Sequence, residues 1–299
     1  MPLYLIDSSI YIFRAWFSLP QQMSGQDGQA VNAAYGFAKF VTEFLEKTQA
    51  QQVVFTFDES LTHSFRNEIY PAYKMNRELP PEELKQQFSL CKRIAQAAGI
   101  ACVAHQHYEA DDLIGTLAMA ARQRGEKFTI VSADKDLTQL IGEQDTMWDF
   151  SKNAHLQPQH VVEKFGVSPN QITDYLGLCG DAVDNIPGVP GVGPKTAVAL
   201  LQAYQDIAGV FSNLDGVAGL SIRGAKNLAA KLATYQEQAQ LSKQLATIAI
   251  DAPIDCSYEF TLRRNAEVSA LQEISREIGG RGAGLFDRIV QISNQSGIA

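Results

Sequence analysis

No stretch of this chain approaches the ~20 successive apolar residues that a bilayer crossing needs, so no spanning helix and no membrane partner are expected. Cysteine is scarce: Cys91, Cys102, Cys179 and Cys256 are four in 299 residues. None falls in a CxxC or zinc-ligand spacing, so reduced thiols in a cytoplasmic setting are expected. The opening MPLYLID lacks a basic segment and a cleavage signature, so no export signal is expected. Positive charge is short too, with 25 Lys and Arg against 33 Asp and Glu, a net −8. Read alone, that deficit argues against nucleic acid, which ordinarily demands a basic face. It misleads, however, if the acids are gathered in one place. The remaining composition, 45% hydrophobic and 19% charged, is that of a folded globular chain of roughly two domains.

Three apolar runs end in an acid: LYLID at Asp7, VVFTFD at Asp58 and FTIVSAD at Asp134. Each is β-branched or aromatic and of the length of a strand covered on both faces. Helical patterns over 33–48, 81–99 and 110–125 lie between them, the last two stopping at glycine. Strand alternating with helix predicts an α/β layer with a mainly parallel sheet. We expect it to span 1–172, followed by an all-α region at 173–249, where glycine and proline punctuate helical pieces, and a segment at 250–299 that packs back on the first.

In such sheets ligand sites gather beyond the carboxyl ends of the strands. Asp7, Asp58 and Asp134 emerge there, joined by Glu109, Asp111 and Asp112 at a helix start (HYEADDLIG), by Asp136 (SADKD), and by Asp181 and Asp184 (CGDAVDN). Any one of these acids alone reads as well as a helix cap or a solvated loop residue. Nine anions in one cleft would repel one another unless compensated, and hard divalent ions such as Mg²⁺ or Mn²⁺ are the natural compensation. Two or more such ions could activate water and offset charge on a phosphodiester. Setting these nine acids aside leaves the chain at +1, so the charge deficit no longer argues against nucleic acid.

Residues 61–95 carry six basic residues (Arg66, Lys74, Arg77, Lys85, Lys92, Arg93) against four acids, with Tyr70 and Tyr73 among them. Cations for phosphates and rings for bases suit a single strand, although a solvated loop would look the same. The run Gly191, Val192, Gly193, Pro194, Lys195, Thr196 offers close backbone approach and a helix start for phosphate. It is not a P-loop pattern, and short glycine-rich loops are common.

The motifs LIDSSIYIFRAWF, NAAYGFAKF, FDESLTHSFRNEIYPAYKMNR, YEADDLIGTLA, SADKDLTQL and GDAVDNIPGVPGVGPKTAVALL, in that order, resemble the 5′-nuclease domain of bacterial DNA polymerase I and the flap endonucleases. The chain has no polymerase continuation and reads as a stand-alone member. The resemblance implies a PIN-like fold with a helical arch at about 64–87 and a helix–three-turn–helix element at 177–204. It implies Asp7, Asp58, Glu109 and Asp111 as ligands of a first metal. It gives Asp134, Asp136 and Asp181 to a second, with Asp184 and Asp112 close by. Arg14, Tyr73, Lys74 and Arg77 would steer the scissile phosphate, and Arg66 with 191–196 would contact DNA. A K⁺ ion would be held by the carbonyls of Leu178, Cys179, Pro187, Val189 and Val192. Some relatives lack acids matching Asp181 and Asp184; this chain has both, which implies full metal occupancy.

The expected activity is therefore a metal-dependent, structure-specific 5′-3′ exonuclease and flap endonuclease. It would act as a monomer on DNA with 5′ ends, flaps or nicks and leave 5′-phosphates, with a DNA polymerase as a partner. Three alternatives stay open. A phosphohydrolase with an aspartyl nucleophile would need a DxD where Asp7 is followed by two serines. A non-catalytic DNA-structure-binding protein would lack some of the acids. A ribonuclease on the same fold is the third.

Overall fold

The computed structural model describes residues 2–59, 63–222 and 224–295; Ser60, Leu61 and Thr62 of the FDESLTH motif lie outside them. The first half builds one six-stranded sheet. The strands are β1 (Leu3–Asp7), β2 (Val53–Asp58), β3 (Ala101–His105), β4 (Phe128–Val131), β5 (Thr146–Asp149) and β6 (Ala154–Leu156). Their order is β3-β2-β1-β4-β5-β6, all parallel except β6, which runs antiparallel to β5.

The helices between them are α1 (Ser8–Ser18), α2 (Asn32–Thr48), α3 (Phe65–Ile69), α4 (Glu82–Ala97) and α5 (Ala110–Gln123). After the sheet come α6 (Pro158–Phe165), α7 (Ile172–Cys179), α8 (Pro194–Tyr204), α9 (Ile207–Ser212), α10 (Leu214–Val217), α11 (Ala225–Thr234) and α12 (Gln236–Ala246). The chain closes with α13 (Tyr258–Thr261), α14 (Val268–Glu277) and α15 (Ala283–Gln295). Among the described residues no helix is long and apolar enough to cross a membrane.

Alternation along the strands sorts the core into two layers. Ile6, Val53, Phe55 and Val131 face α1, α2, α4, α14 and α15, where Phe37, Phe44, Ile94 and Ile289 are fully buried. Leu5, Val54 and Ile130 face α5 and the later helices, through Ile114, Leu117, Leu200 and Leu245. The same parity decides where the acids go. Asp7 lies two residues beyond Leu5 and Asp58 four beyond Val54, so both project towards α5.

Chain order fixes the location of the crevice. From β1 the chain moves outward to β2 and β3, then returns through α5 to β4 on the other side of β1. The carboxyl ends of β1 and β4 therefore flank the point where strand order reverses, the place where open sheets bind ligands. Ile6 is in register with Val131 there.

FTIVSAD predicts a strand to Asp134, but β4 stops at Val131. The Ser132 hydroxyl turns to Asp7 Oδ2 (2.8 Å) and accepts from the Asp134 N–H (3.0 Å), which bends the chain out of the ladder. The segment expected to arch, 64–87, is built as α3, a run of turns through 71–76 and the start of α4. Pro71, Pro80 and Pro81 cannot donate within a helix interior, so no single helix covers it.

Candidate active site

The acids enter from five separate segments. Asp7 ends β1 and Asp58 ends β2, where Asp58 accepts from Ser9 Oγ (2.6 Å) and from the Ala110 N–H (2.9 Å). Glu109 caps the start of α5 and Asp111 sits in its first turn. Asp134 follows β4 and accepts from the Asp136 N–H (2.9 Å). Asp181 and Asp184 lie on the α7–α8 loop, fixed by a two-way backbone bridge between Asp181 and Ile186.

Electrostatics tie these acids into two groups that meet at Asp134. Burial first, then the charges of Asp58 and Asp134, lift the Asp7 carboxyl to about 7 against its Ser132 hydrogen bond. Burial, then Asp134, Asp7 and Asp58, holds Asp111 well above the usual carboxylate range. Asp136 is pushed to about 7 by burial, then by Asp134, with Asp184 and Asp181 adding to it. Five stretches of chain thus place buried carboxylates close enough to suppress one another's ionisation, an arrangement that calls for a cation.

Basic side chains already stand among them. Lys74 donates to Glu109 Oε1 at 2.6 Å and lies 3.7 Å from Asp184 Oδ2. Its backbone is left-handed, with φ 56°, and is anchored by its N–H on the Asp184 carbonyl at 3.0 Å. A lysine held in that region stores strain that the surrounding contacts must override. Tyr73 OH donates to Glu109 Oε2 (3.0 Å), and Arg77 pairs with Asp184. Burial works to raise Asp184, yet Lys74 and Arg77 outweigh it and its carboxyl falls below the usual range. Lys74, Arg77, Tyr73, Asp58, Glu109 and Phe13 line a cleft of about 570 Å³. A larger hollow, about 1090 Å³, lies along α12 and contains none of the nominated acids.

Two nominated residues serve otherwise. Asp112, placed near the metals, is fully buried with both oxygens on Arg66, at 2.7 and 2.8 Å. It also accepts from the N–H groups of Glu109 and Ala249. Arg66, nominated for DNA, is 2% exposed and donates onward to the carbonyls of Leu245 and Thr247. The pair clamps α3 and α5 to the end of α12, so Arg66 has no face for phosphate. Arg14 is exposed and lies 4.0 Å from Asp149.

Lys135 escaped the sequence reading, although it stands between two nominated acids in SADKD; so did Ser9 and Ser132, which orient Asp58 and Asp7. Among the described residues no three Asp, Glu, His or Cys side chains converge as a finished ion cage. The donor chemistry nonetheless fits: every donor is a hard carboxylate oxygen, and Asp136 Oδ1 is buried with no hydrogen-bond partner. At the end of α7 the Leu178 carbonyl accepts from the Val189 N–H, and on the α7–α8 loop the Val189 carbonyl accepts from the Val192 N–H. Gly193, Pro194, Lys195 and Thr196 open α8, with Gly191 and Lys195 exposed.

Comparison with known proteins adds an independent line. Residues 2–166 match the family described as 5′-3′ exonuclease, N-terminal resolvase-like domain, and 167–268 the one described as 5′-3′ exonuclease, C-terminal SAM fold. A 5′-3′ exonuclease of Buchnera aphidicola is 38% identical over 265 residues, 88% of this chain and 92% of that one. DNA polymerase I of Bacillus subtilis is 40% identical over 85% of this chain, which spans 28% of that polymerase. Among solved structures, a bacteriophage T5 flap endonuclease in a pseudo-enzyme–product complex with DNA and metal ions superposes with a TM-score of 0.67 at 18% identity. It covers 99% of this chain and all of that one. The catalytic core of Rad2 in complex with DNA substrate gives 0.64 at 14% identity, covering 97% and 91%.

Proposed function

Because this chain belongs to the 5′-3′ exonuclease family, we propose that it is a metal-dependent, structure-specific 5′-3′ exonuclease and flap endonuclease that hydrolyses DNA to 5′-phosphate products. The observation that carries the reading is the gathering of carboxylates from five chain segments at the sheet's switch point, where burial first and neighbouring acids second hold Asp7, Asp111 and Asp136 above the usual carboxylate range. Asp7, Asp58, Glu109 and Asp111 would hold one divalent ion; Asp134, Asp136 and Asp181, with Asp184 beside them, would hold a second. Bound Mg²⁺ or Mn²⁺ would supply Lewis acidity toward water and phosphate.

The chain's own residues supply the rest. Lys74 and Arg77, poised at the cleft, would offset charge developing on the scissile phosphate, with the Tyr73 ring beside Lys74 and Arg14 on α1 assisting. Within residues 191–196 at the exposed start of α8, the N–H groups of Gly191, Gly193 and Lys195 and the Lys195 ammonium would take duplex phosphates, fixing register without reading sequence. The Val192 and Thr196 N–H groups already donate to the Val189 and Gly193 carbonyls. A K⁺ ion on the carbonyls of Leu178, Cys179, Pro187, Val189 and Val192 would stiffen that loop. We assign a cytoplasmic monomer as the working form. A DNA polymerase is its proposed partner, since the Bacillus subtilis relative is a DNA polymerase I.

The test is cleavage of 5′-labelled flap, nicked and blunt duplexes, with a matched RNA flap, across a series of divalent metals. Cleavage that needs the metal and prefers DNA is expected, and Asp134→Asn should lose it by orders of magnitude while still binding flapped duplex. Undiminished cleavage in EDTA would overturn the proposal.

A further inference from the structure

Lys135 lies at the centre of the second acid group. Its Nζ is 2.5 Å from Asp181 Oδ2 and 3.7 Å from Asp136 Oδ1, the buried oxygen without a hydrogen-bond partner. One carboxylate belongs to the turn after β4 and the other to the α7–α8 loop, so a single ammonium bridges two segments. The cations of the cleft differ in their freedom to leave. The Arg66 side chain is 3% exposed and pinned by two carbonyls. Lys74 is 22% exposed, and its backbone is tied to Asp184. Lys135 is 39% exposed, in ordinary right-handed backbone, with a four-carbon stem that can turn to water.

We propose that Lys135 is a displaceable counter-ion: it holds Asp136 and Asp181 together while the second acid group is metal-free, and a divalent cation entering that group expels it. The inference rests on the metal reading above and adds to it a competitor built into the chain. No bond is made or broken; one unit of fixed positive charge gives way to two.

Mn²⁺ titration of the full, DNA-free chain by calorimetry tests it, comparing wild type with Lys135→Met. Lys127→Met, the same charge change at the exposed amino end of β4, is the control. One of the Mn²⁺ sites should tighten in Lys135→Met by about fivefold or more, the factor for a unit charge about 4 Å away under aqueous screening. Lys127→Met should leave it unchanged. On the wild-type chain, an amine-acylating reagent read by mass spectrometry should label Lys135 faster once Mn²⁺ is present. That measurement stands even if the variant fails to fold. Two ions bound with equal affinity by wild type and Lys135→Met, or labelling indifferent to Mn²⁺, overturns this inference alone. A wild-type chain that binds no Mn²⁺ overturns the metal reading and this inference with it.

Discussion

Truncating Arg66 to alanine would leave Asp112 as a fully buried carboxylate with no cation, and removing one partner of such a pair costs about 3–5 kcal/mol. We expect Arg66→Ala to lower the unfolding free energy by that amount in urea titration. If stability is unchanged and only DNA affinity falls, the clamp assignment is wrong. The case also marks what single residues disclose. Charge and spacing make Asp7, Asp58 and Asp134 legible, because each follows an apolar run that forms a strand, Asp134 three residues after its own has stopped. They do not disclose partners: Arg66 and Asp112 are 46 residues apart, and nothing local distinguishes a cation that meets phosphate from one that meets a buried acid.

Elements were legible in proportion to the length of their pattern. β1 and β2 follow their apolar runs residue for residue, and α2 begins one residue before the expected 33–48. β3, β5 and β6 gave no signal. β3 is half-buried along its whole length, and the others have only four and three residues. The α7–α8 loop was recognisable by its glycines, and the structure gives the reason. A Cβ on Gly188, at φ 59°, would lie 2.3 Å from the backbone nitrogen of Gly180. The left-handed backbone alone would cost an alanine there about 1–2 kcal/mol, before the two crossing strands of loop are forced apart. Gly188→Ala should therefore weaken duplex binding measured by fluorescence anisotropy, while the sheet's circular dichroism stays intact. Unchanged binding would mean that the crossing does not shape the interface.

Across the whole molecule the acids set how stability follows pH. Asp7 and Asp136 rise to about 7 in the folded chain, so between an unfolded value of about 3.9 and that point the folded state holds more protons. Their contribution is complete below the unfolded value and is lost as pH climbs through about 7. Asp184, lowered by Lys74 and Arg77, has the opposite sign, and its contribution fades only in acid. In EDTA the melting temperature should fall by on the order of 5 °C from about pH 5.5 to about pH 8. Saturating Mg²⁺ should shrink that fall, since the ionised acids then face a cation. A melting temperature that stays flat or climbs over the same range in EDTA would contradict the shared origin of these shifts.

The reach of Arg66 to the carbonyls of Leu245 and Thr247 has a consequence for synthesis on the ribosome. Every strand of the sheet has been translated by Leu156, while Asp181, Asp184 and the far end of the Arg66 clamp are still to come. Neither face of the sheet is fully covered until later helices arrive, and the acid cluster stays unassembled until Asp181 and Asp184 have been made. A product that ends before Asp181 lacks the acids of the α7–α8 loop and the far anchor of Arg66.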